Sequence, residues 1–339
     1  MRKLSGWLVA LAWLVLSAVD VCAPGEALGQ APRKDKVSLL LNWYTYGEHA
    51  PFAYGVVKGF YAEQGIELEI KEGAGSGVVV QAVGSGAARF GYADAGSLAQ
   101  FASKGLPVRM IANYIQTTPL SMIFYSEKGI NSPKDLEGKK IAATPGGAGH
   151  LVLPLLFKAN NVDQSKVHLS LIAEPKAKQA ALMTGVIDAM EGYFTTQVGP
   201  IELETNRKVG YIRFADFGVN SLSQGLLVHG KHLGERELNC RMVRATSKAW
   251  TAAGQDPEGA AQALHKLFPK TNKENLDLTK RQWLDSFSLL YTKHTQGKTP
   301  GWMAQEDWDN LLHLLKTYGG MEKLLAQDAY YTNEFFDCK

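Results

Sequence analysis

Strand-like and helix-like segments alternate from residue 37 to residue 229, and this alternation constrains the fold more than any other feature. Residues 37–42 form an apolar run typical of a buried strand, 49–61 have the apolar spacing of a helix, and 66–71 alternate as in a strand. Further segments of both kinds follow in the same block: 78–83, 89–92, 98–103 and 108–114. Because parallel strands need crossover connections, the sequence predicts an α/β protein with mostly parallel, doubly wound sheets.

A second block of the same kind follows, and after it the chain is helical. We predict alternating strands and helices, with one capped turn, at 120–125, 132–136, 140–143, 151–159, 167–172, 178–184, 187–190, 197–204, 209–214 and 224–229. Helical spacing then continues in 241–253, 257–267, 279–291 and 306–317. This order predicts that the second block is inserted into the first. Lobe 1 would comprise 36–121 and 223–339, lobe 2 would comprise 122–222, and the two connecting strands near Ser121 and Ser223 would act as a hinge.

The size and charge of the chain limit the classes of protein to which it can belong. A chain of 339 residues exceeds the size at which one hydrophobic core usually keeps growing, which favours two lobes. With 45% apolar and 20% charged residues, the composition is that of a folded soluble protein. The net charge is only +3 and the basic residues are scattered, so the sequence predicts no nucleic-acid partner.

The N-terminus has the pattern of an export signal. Two basic residues precede an apolar run at 7–19, which is too short for a permanent membrane anchor. We predict a signal peptide over 1–29, cleaved after Gly29, and therefore a periplasmic protein. Cys22 leaves attachment of a lipid to the chain open as an alternative. Val21 argues against it, because lipid-attachment sites have a small residue at that position.

Two further cysteines, Cys240 and Cys338, would enter an exported compartment with the folded chain. Such a compartment permits them to pair. Their spacing does not decide the matter, so a disulfide and two separate thiols both stay open.

The loop after the first predicted strand is rich in groups that bind flat ligands. It carries Asn42, Trp43, Tyr44, Tyr46 and His49. Aromatic rings at a strand end can sandwich a planar molecule, while an amide and an imidazole bond its edge. The alternative is that the aromatic side chains fill the core and Asn42 caps a turn.

Each block also has a glycine-rich turn between a strand and a helix. Gly75, Ser76 and Gly77 belong to the first turn, and Thr144 and Gly146 belong to the second. Glycine allows close backbone approach, and free N–H groups at a helix start can hold an anionic or carbonyl group. One such turn per block is what a cleft clamped from both sides would require.

Two carboxylates follow predicted strands. Asp94 precedes a helix that begins near Ser97, so it is either a ligand contact or an N-cap. Glu191 lies near Tyr193, where the acid could accept a hydrogen bond from an exocyclic amine while the ring stacks. The alternative for Glu191 is a solvated loop residue.

Common enzyme signatures are missing from the sequence. It contains no H-E-x-x-H, no Walker loop, no G-x-S-x-G and no Cys-His cluster. His229 and His232 are spaced like metal ligands, but a pair near a predicted helix start is more typical of a surface. The sequence predicts no catalytic residue, no metal and no cofactor.

At these residues the chain resembles the substrate-binding proteins of ABC transporters for nitrate, sulfonates and thiamine-pyrimidine precursors, the SsuA/THI5-like or NMT1 family. The resemblance covers about 37–229, most of the exported chain. Its most specific parts are the run 58–66 and the turn 135–139. The motifs that carry it are Leu-Asn-Trp at 41–43, Val-Lys-Gly-Phe-Tyr-Ala-Glu-Gln-Gly-Ile at 57–66, Gly-Ser-Gly-Ala-Ala-Arg-Phe-Gly at 84–91, Pro-Lys-Asp-Leu-Glu-Gly-Lys at 133–139 and Leu-Met-Thr-Gly-Val-Ile-Asp-Ala at 182–189.

The resemblance implies the type II periplasmic binding protein fold, in which two doubly wound α/β lobes are joined by a two-strand hinge around a ligand cleft. In the pyrimidine-precursor members, an aromatic residue stacks on the ring and an acid in the second lobe bonds its amine. Trp43 and Glu191 match those places, with Asn42 and Tyr193 beside them.

The resemblance further implies a monomeric binding protein that delivers its ligand to an ABC permease and its ATPase in the inner membrane. The candidate loops contain no Lys or Arg, which favours a neutral heteroaromatic ring similar to a thiamine-pyrimidine precursor. Sulfonate, nitrate and other organic anions stay the alternatives, as does service to a sensory receptor. Fungal relatives are enzymes that make the thiamine pyrimidine with a cysteine-rich motif and iron. No such cysteine cluster occurs here, and that enzyme is the alternative from a different class.

Overall fold

A computed structural model describes residues 35–145, 148–270 and 275–338. The predicted signal peptide over 1–29 and the predicted site residue Gly146 lie outside these residues. The strands are β1 (Asp35–Leu40), β2 (Ile66–Lys71), β3 (Phe90–Asp94), β4 (Val108–Asn113), β5 (Leu120–Tyr125), β6 (Lys140–Ala143), β7 (His168–Leu171), β8 (Ala189–Tyr193), β9 (Val209–Arg213) and β10 (Gln224–His229).

The helices cover the faces of the sheets and form the C-terminal part of the chain. They are α1 (Ala50–Val57), α2 (Phe60–Glu63), α3 (Ser76–Gly84), α4 (Ala95–Ser103), α5 (Ala148–Ala159), α6 (Pro175–Met183), α7 (Phe194–Thr205), α8 (Arg236–Gln255), α9 (Pro257–Leu267), α10 (Leu276–Phe287) and α11 (Gln305–Thr317). Within the described ranges, none of these helices is long and apolar enough to cross a membrane.

The strands form two five-stranded sheets with matching topology. The first has the order β2-β1-β3-β10-β4, and the second has the order β7-β6-β8-β5-β9. In the first sheet β10 runs antiparallel to both of its neighbours, and in the second sheet β5 does the same. The remaining pairs are parallel. The α/β prediction is therefore confirmed. In each sheet the antiparallel strand is the first one after a crossing, the point at which the chain passes from one sheet to the other.

The two crossings run side by side between the sheets. The Ser223 N–H donates to the Ile115 carbonyl at 2.8 Å, and the Tyr114 and Ile115 N–H groups each donate to the Gln224 carbonyl at 3.0 Å. Two short, hydrogen-bonded segments are suited to a hinge, because few dihedral angles must change for the sheets to rotate. The lobe boundaries and the hinge motion stay predictions.

An aromatic cluster packs α8 and α10 against the first sheet. Trp250 of α8 is fully buried and stacks on Tyr114 with ring centroids 4.9 Å apart. Trp283 of α10 lies 5.2 Å from Trp250 and donates from Nε1 to the Ala253 carbonyl at 2.9 Å. Truncating a buried tryptophan typically costs about 3–5 kcal/mol. This cluster holds α10 against the 3₁₀ helix Gly47–His49, which precedes α1.

Two predicted helix boundaries were wrong for identifiable reasons. The helix predicted over 49–61 is divided because Gly59 adopts φ +79°, a left-handed conformation that ends α1 and starts α2. The helix predicted to start at residue 178 begins at Pro175, since the Glu174 side chain accepts from the Ala177 N–H and caps it. The earlier start of α6 brings an additional turn of helix to the cleft.

Cys240 and Cys338 form a disulfide, which resolves the question left open by the sequence. Their Cα atoms are 6.0 Å apart across a sequence separation of 98 residues. The bond ties α8 to the C-terminal segment that follows α11.

Candidate functional site

A cavity of about 540 Å³ lies between the strand-end loops of the two sheets. Many predicted binding residues line it: Asn42, Trp43, Tyr44, Gly75, Ser76 and Tyr193. The remaining walls come from Tyr46, Lys176, Gln179, Thr196, Gln197, Pro200, Gln224 and Gln282. The topology therefore brings the loop after β1, the first glycine-rich turn and the end of β8 to one cleft.

Two aromatic side chains at the cavity are exposed although both are large and apolar. Trp43 is 40% exposed and Tyr44 is 55% exposed, with ring centroids 5.2 Å apart. The alternative that these aromatic residues fill the core does not hold for this pair. Exposed aromatic rings beside a cavity offer flat faces on which a planar ligand can stack.

His49 lies behind the cavity wall and orients Asn42. It is fully buried, and its Nδ1 accepts from the Tyr46 N–H at 3.3 Å. The other ring nitrogen, Nε2, therefore carries the hydrogen and donates to Asn42 Oδ1 at 2.7 Å. Burial lowers the pKa of His49 to about 3, so the ring is neutral. The structure places this predicted site residue in support of Asn42, not on the cavity surface.

The first glycine-rich turn is joined to both Asn42 and Asp94. The Gly75 N–H donates to the Asn42 carbonyl at 2.7 Å, and Gly75 adopts φ +125°, which other residues rarely reach. Ser76 Oγ accepts from the Asp94 N–H at 3.1 Å. Gly77 is not among the residues around this cavity, and a Cβ there would touch the Phe101 ring at 3.5 Å.

Asp94 has the capping role that was the alternative for it. Its carboxylate accepts from the Ser97 N–H at 2.9 Å at the start of α4. Burial raises the pKa of Asp94 above its ordinary value. Asp94 also lines a smaller cavity of about 170 Å³, which shares Tyr193 with the larger one and has Leu311 and Leu315 of α11 in its wall.

Glu191 is not a solvated loop residue, because it lies buried in β8 and its carboxylate pairs with a lysine. Its Oε2 lies 2.8 Å from Lys178 Nζ, and the two side chains are only 7% and 4% exposed. Thr144 completes the group, because its N–H donates to Glu191 Oε2 at 3.3 Å and its Oγ1 accepts from Lys178 at 2.9 Å. One oxygen of the carboxylate that was predicted to bind a ligand amine is thus engaged by the buried Lys178.

Sequence reasoning missed the residues that helices bring to the cavity. Lys176 and Gln179 lie on the first turns of α6, and Gln282 lies on α10, far along the chain from any strand-end loop. Lys176 makes no hydrogen bond or ion pair with the residues that the structure describes. The predicted loops contain no Lys or Arg, but the cavity wall does contain a lysine, Lys176. A capping signal at Glu174 and Pro175 could have revealed Lys176, whereas no local signal marks Gln282.

Glu48 is a buried acid just behind the wall. It is 1% exposed, and its Oε1 has no hydrogen-bond partner in the described part of the chain. Burial raises the pKa of Glu48 to about 7 and outweighs the hydroxyls of Tyr46 and Tyr92, which act to lower it. The residue is therefore largely neutral below pH 7.

Metal ligands are not grouped in the described ranges. No set of three or more His, Cys, Asp or Glu side chains among residues 35–145, 148–270 and 275–338 is placed to hold a metal ion. His232 instead pairs with Glu235 on the surface.

Comparisons with known proteins agree on one family. A family model described as NMT1/THI5 like matches residues 47–260. The chain is 32% identical over 306 residues to the 4-amino-5-hydroxymethyl-2-methylpyrimidine phosphate synthase of Legionella pneumophila, covering 89% of this chain and 92% of the relative. It is 23% identical over 332 residues to the formylaminopyrimidine-binding protein of Halalkalibacterium halodurans, covering 97% of each.

Solved structures show the same architecture. The periplasmic sulfonate-binding protein SsuA of Methylobacillus flagellatus aligns with a TM-score of 0.65 at 17% identity, over 90% of this chain and 93% of that chain. At that identity the likeness concerns the fold alone. The chain therefore belongs to the NMT1/THI5-like family and has the periplasmic binding protein fold.

Proposed function

We propose that the chain is the extracytoplasmic substrate-binding subunit of an ABC importer and that it captures a small heteroaromatic molecule in the cavity between its sheets. One observation carries this proposal: Trp43 and Tyr44 stay exposed beside a cavity at which most of the other lining residues carry a side-chain amide or hydroxyl. Exposed aromatic faces suit a flat ring, and the amides suit its polar edge.

The size and position of the cavity support capture of a small molecule. Its volume of about 540 Å³ is within the usual range of ligand pockets, about 300–1,000 Å³. Its walls come from both sheets, so closing the cleft would bury the ligand on both faces. The two hydrogen-bonded crossings at Ile115 and Ser223 provide a hinge for that motion. A similar relative is named for binding formylaminopyrimidine, which is a heteroaromatic compound.

Export and delivery complete the proposal. The predicted signal peptide over 1–29 would place the chain in the periplasm, where we expect it to work as a monomer. The closed form would then dock on a permease that is driven by its ATPase. No cofactor is required for binding, because the walls already provide the rings and hydrogen-bonding groups.

Two observations favour other candidates. Lys176 at the wall would suit a sulfonate, nitrate or other organic anion. A relative with 32% identity is named as a pyrimidine phosphate synthase, so an enzyme on the same scaffold is the candidate of a different class. We favour binding because the cavity pairs exposed rings with side-chain amides, and its walls include no cysteine or histidine among the described residues.

Thermal unfolding against a ligand panel tests the proposal. The panel contains aminopyrimidines, flavins, sulfonates, nitrate and aromatic carboxylates. A ligand at about a hundred times its Kd adds about 2.7 kcal/mol of stability, which raises Tm by several degrees. We expect an aminopyrimidine to do so in the wild type and not in Trp43→Ala. Stabilisation by oxyanions alone would keep the transport function but exclude a heteroaromatic ligand.

A further inference from the structure

The Gln282 carboxamide has a fixed orientation at the cavity wall. Gln282 is buried on α10, and its Oε1 accepts from the Gly47 N–H at 3.1 Å. A backbone N–H can only donate, so the oxygen of the amide must face Gly47 and the NH₂ must face away from it. Gln282 lines the cavity, and its Nε2 has no hydrogen-bond partner within the described ranges. The free NH₂ is thus available to a molecule in the cavity.

Asn42 is oriented by the backbone N–H of Tyr46, the residue before Gly47, and His49 links the two. The Tyr46 N–H donates to His49 Nδ1, which leaves the hydrogen on Nε2, and that hydrogen is donated to Asn42 Oδ1. The Asn42 oxygen is therefore engaged and its NH₂ is directed away from His49. This NH₂ also lies near the Tyr46 hydroxyl, so Gln282 is the less encumbered donor of the two.

Consecutive N–H groups at Tyr46 and Gly47 thus lock two carboxamides that are far apart in sequence. Gln224 also lines the cavity, but its Oε1 contacts the Ser223 hydroxyl at 2.6 Å, and a hydroxyl can donate or accept. Its orientation is therefore not fixed in the same way. Lys176 adds a further donor to the same cavity.

We infer that Gln282 and Asn42 act as donors in the binding site, so that the ligand presents hydrogen-bond acceptors to this wall. This inference rests on the proposed ligand-capturing function and specifies its chemistry. The acceptors are ring nitrogens, a carbonyl oxygen or the oxygens of an anionic group, and an exocyclic amine on the ring is turned elsewhere. A site that bonds polar atoms of its ligand discriminates strongly against an analogue that lacks them.

The variant Gln282→Glu tests the inference with little change in shape. A glutamate keeps an oxygen for the Gly47 N–H but replaces the NH₂ with a second oxygen. The probes are 4-amino-5-hydroxymethyl-2-methylpyrimidine and its benzene counterpart, which lacks the ring nitrogens, measured by isothermal titration calorimetry. Gln262→Glu on the exposed surface of α9 makes the same charge change away from the cavity and serves as the control.

We expect Gln282→Glu to weaken binding of the pyrimidine at least about tenfold, since the lost donor is replaced by a repelling oxygen. Gln262→Glu should bind as the wild type does. The benzene counterpart should bind the wild type more weakly than the pyrimidine does, and its affinity should not fall further in Gln282→Glu. If the buried glutamate prevents folding, Gln282→Met removes the donor without a charge and should weaken binding of the pyrimidine severalfold. Equal or tighter binding of the pyrimidine by the folded variant would overturn the inference.

Two further results separate this inference from the proposed function. If only an anion such as methanesulfonate binds, the heteroaromatic ligand is excluded, and the inference is then judged by whether Gln282→Glu weakens that anion. If no probe binds, hydrogen exchange of the Gly47 N–H decides. Faster exchange in Gln282→Met than in the wild type supports the locked amide, and equal exchange overturns it.

Discussion

The substitution Glu48→Gln should remove a pH dependence of stability that the buried acid creates. Glu48 is almost completely inaccessible, and its pKa is raised from an ordinary 4.5 to about 7 by burial. No ion pair in the described part of the chain compensates its charge. Glutamine has the same length and shape but does not titrate.

The magnitude and the sign follow from the two pKa values. Below pH 4.5 the carboxyl is protonated in the folded and unfolded states, and its contribution to stability is fully present. Between pH 4.5 and 7 the unfolded chain loses the proton while the folded chain keeps it, so the free energy of unfolding falls as pH rises. At about 1.4 kcal/mol per pH unit, the loss amounts to about 3 kcal/mol by pH 8.

Urea unfolding of both proteins at pH 4, 6 and 8 measures the effect. The stability of Glu48→Gln relative to wild type should rise by about 3 kcal/mol from pH 4 to pH 8. His49, whose low pKa makes stability fall below about pH 6.5, is present in both proteins and cancels in the difference. Glu204→Gln on the exposed surface of α7 controls for the loss of a carboxylate. A Glu48→Gln difference that stays constant within about 1 kcal/mol would refute the reasoning.

Three further changes test the second lobe and the disulfide. Lys178→Met should destabilise the protein by about 3–5 kcal/mol, because it leaves Glu191 buried without its cation. The double variant Lys178→Met/Glu191→Leu should recover most of that lost stability when both are measured by denaturant unfolding. Gly149→Ala should lower Tm by several degrees in calorimetry, since its Cβ would lie within 2.2 Å of Glu191 side-chain atoms; an unchanged Tm contradicts that packing. Reduction of the Cys240–Cys338 bond should cost about 4–5 kcal/mol in urea unfolding for a loop of 98 residues, and equal stability of both redox forms would refute its role.

The fold could be predicted because its signals are periodic and repeated. Alternating strands and helices in two blocks required mostly parallel sheets. β5 begins at Leu120 and β10 begins at Gln224, beside the predicted crossings near residues 121 and 223, and the division into lobes stays a prediction. Residues of the loop after β1 line the cavity because the carboxyl ends of strands meet at one edge of a sheet, and their role in binding stays a prediction.

The rest of the site depends on tertiary packing that has no local pattern. Gln282 reaches the cavity because Trp283 anchors α10 in the core beside it, and the sequence around residue 282 gives no hint of this. The pairing of Glu191 with Lys178 could not be predicted from the sequence, because the two residues lie on different elements. His49 supports Asn42 from behind the cavity wall. The spacing of residues along the chain cannot distinguish a residue that lines the cavity from one that supports it.

Recovery of an unchanged ligand tests the central claim most directly. The purified protein is mixed with 4-amino-5-hydroxymethyl-2-methylpyrimidine, separated from free compound by gel filtration, and then denatured, and both the released compound and the chain are weighed by mass spectrometry. Capture without chemistry predicts about one equivalent of unaltered compound and an unaltered chain. No retained compound, a converted compound or a chain of altered mass would contradict the account.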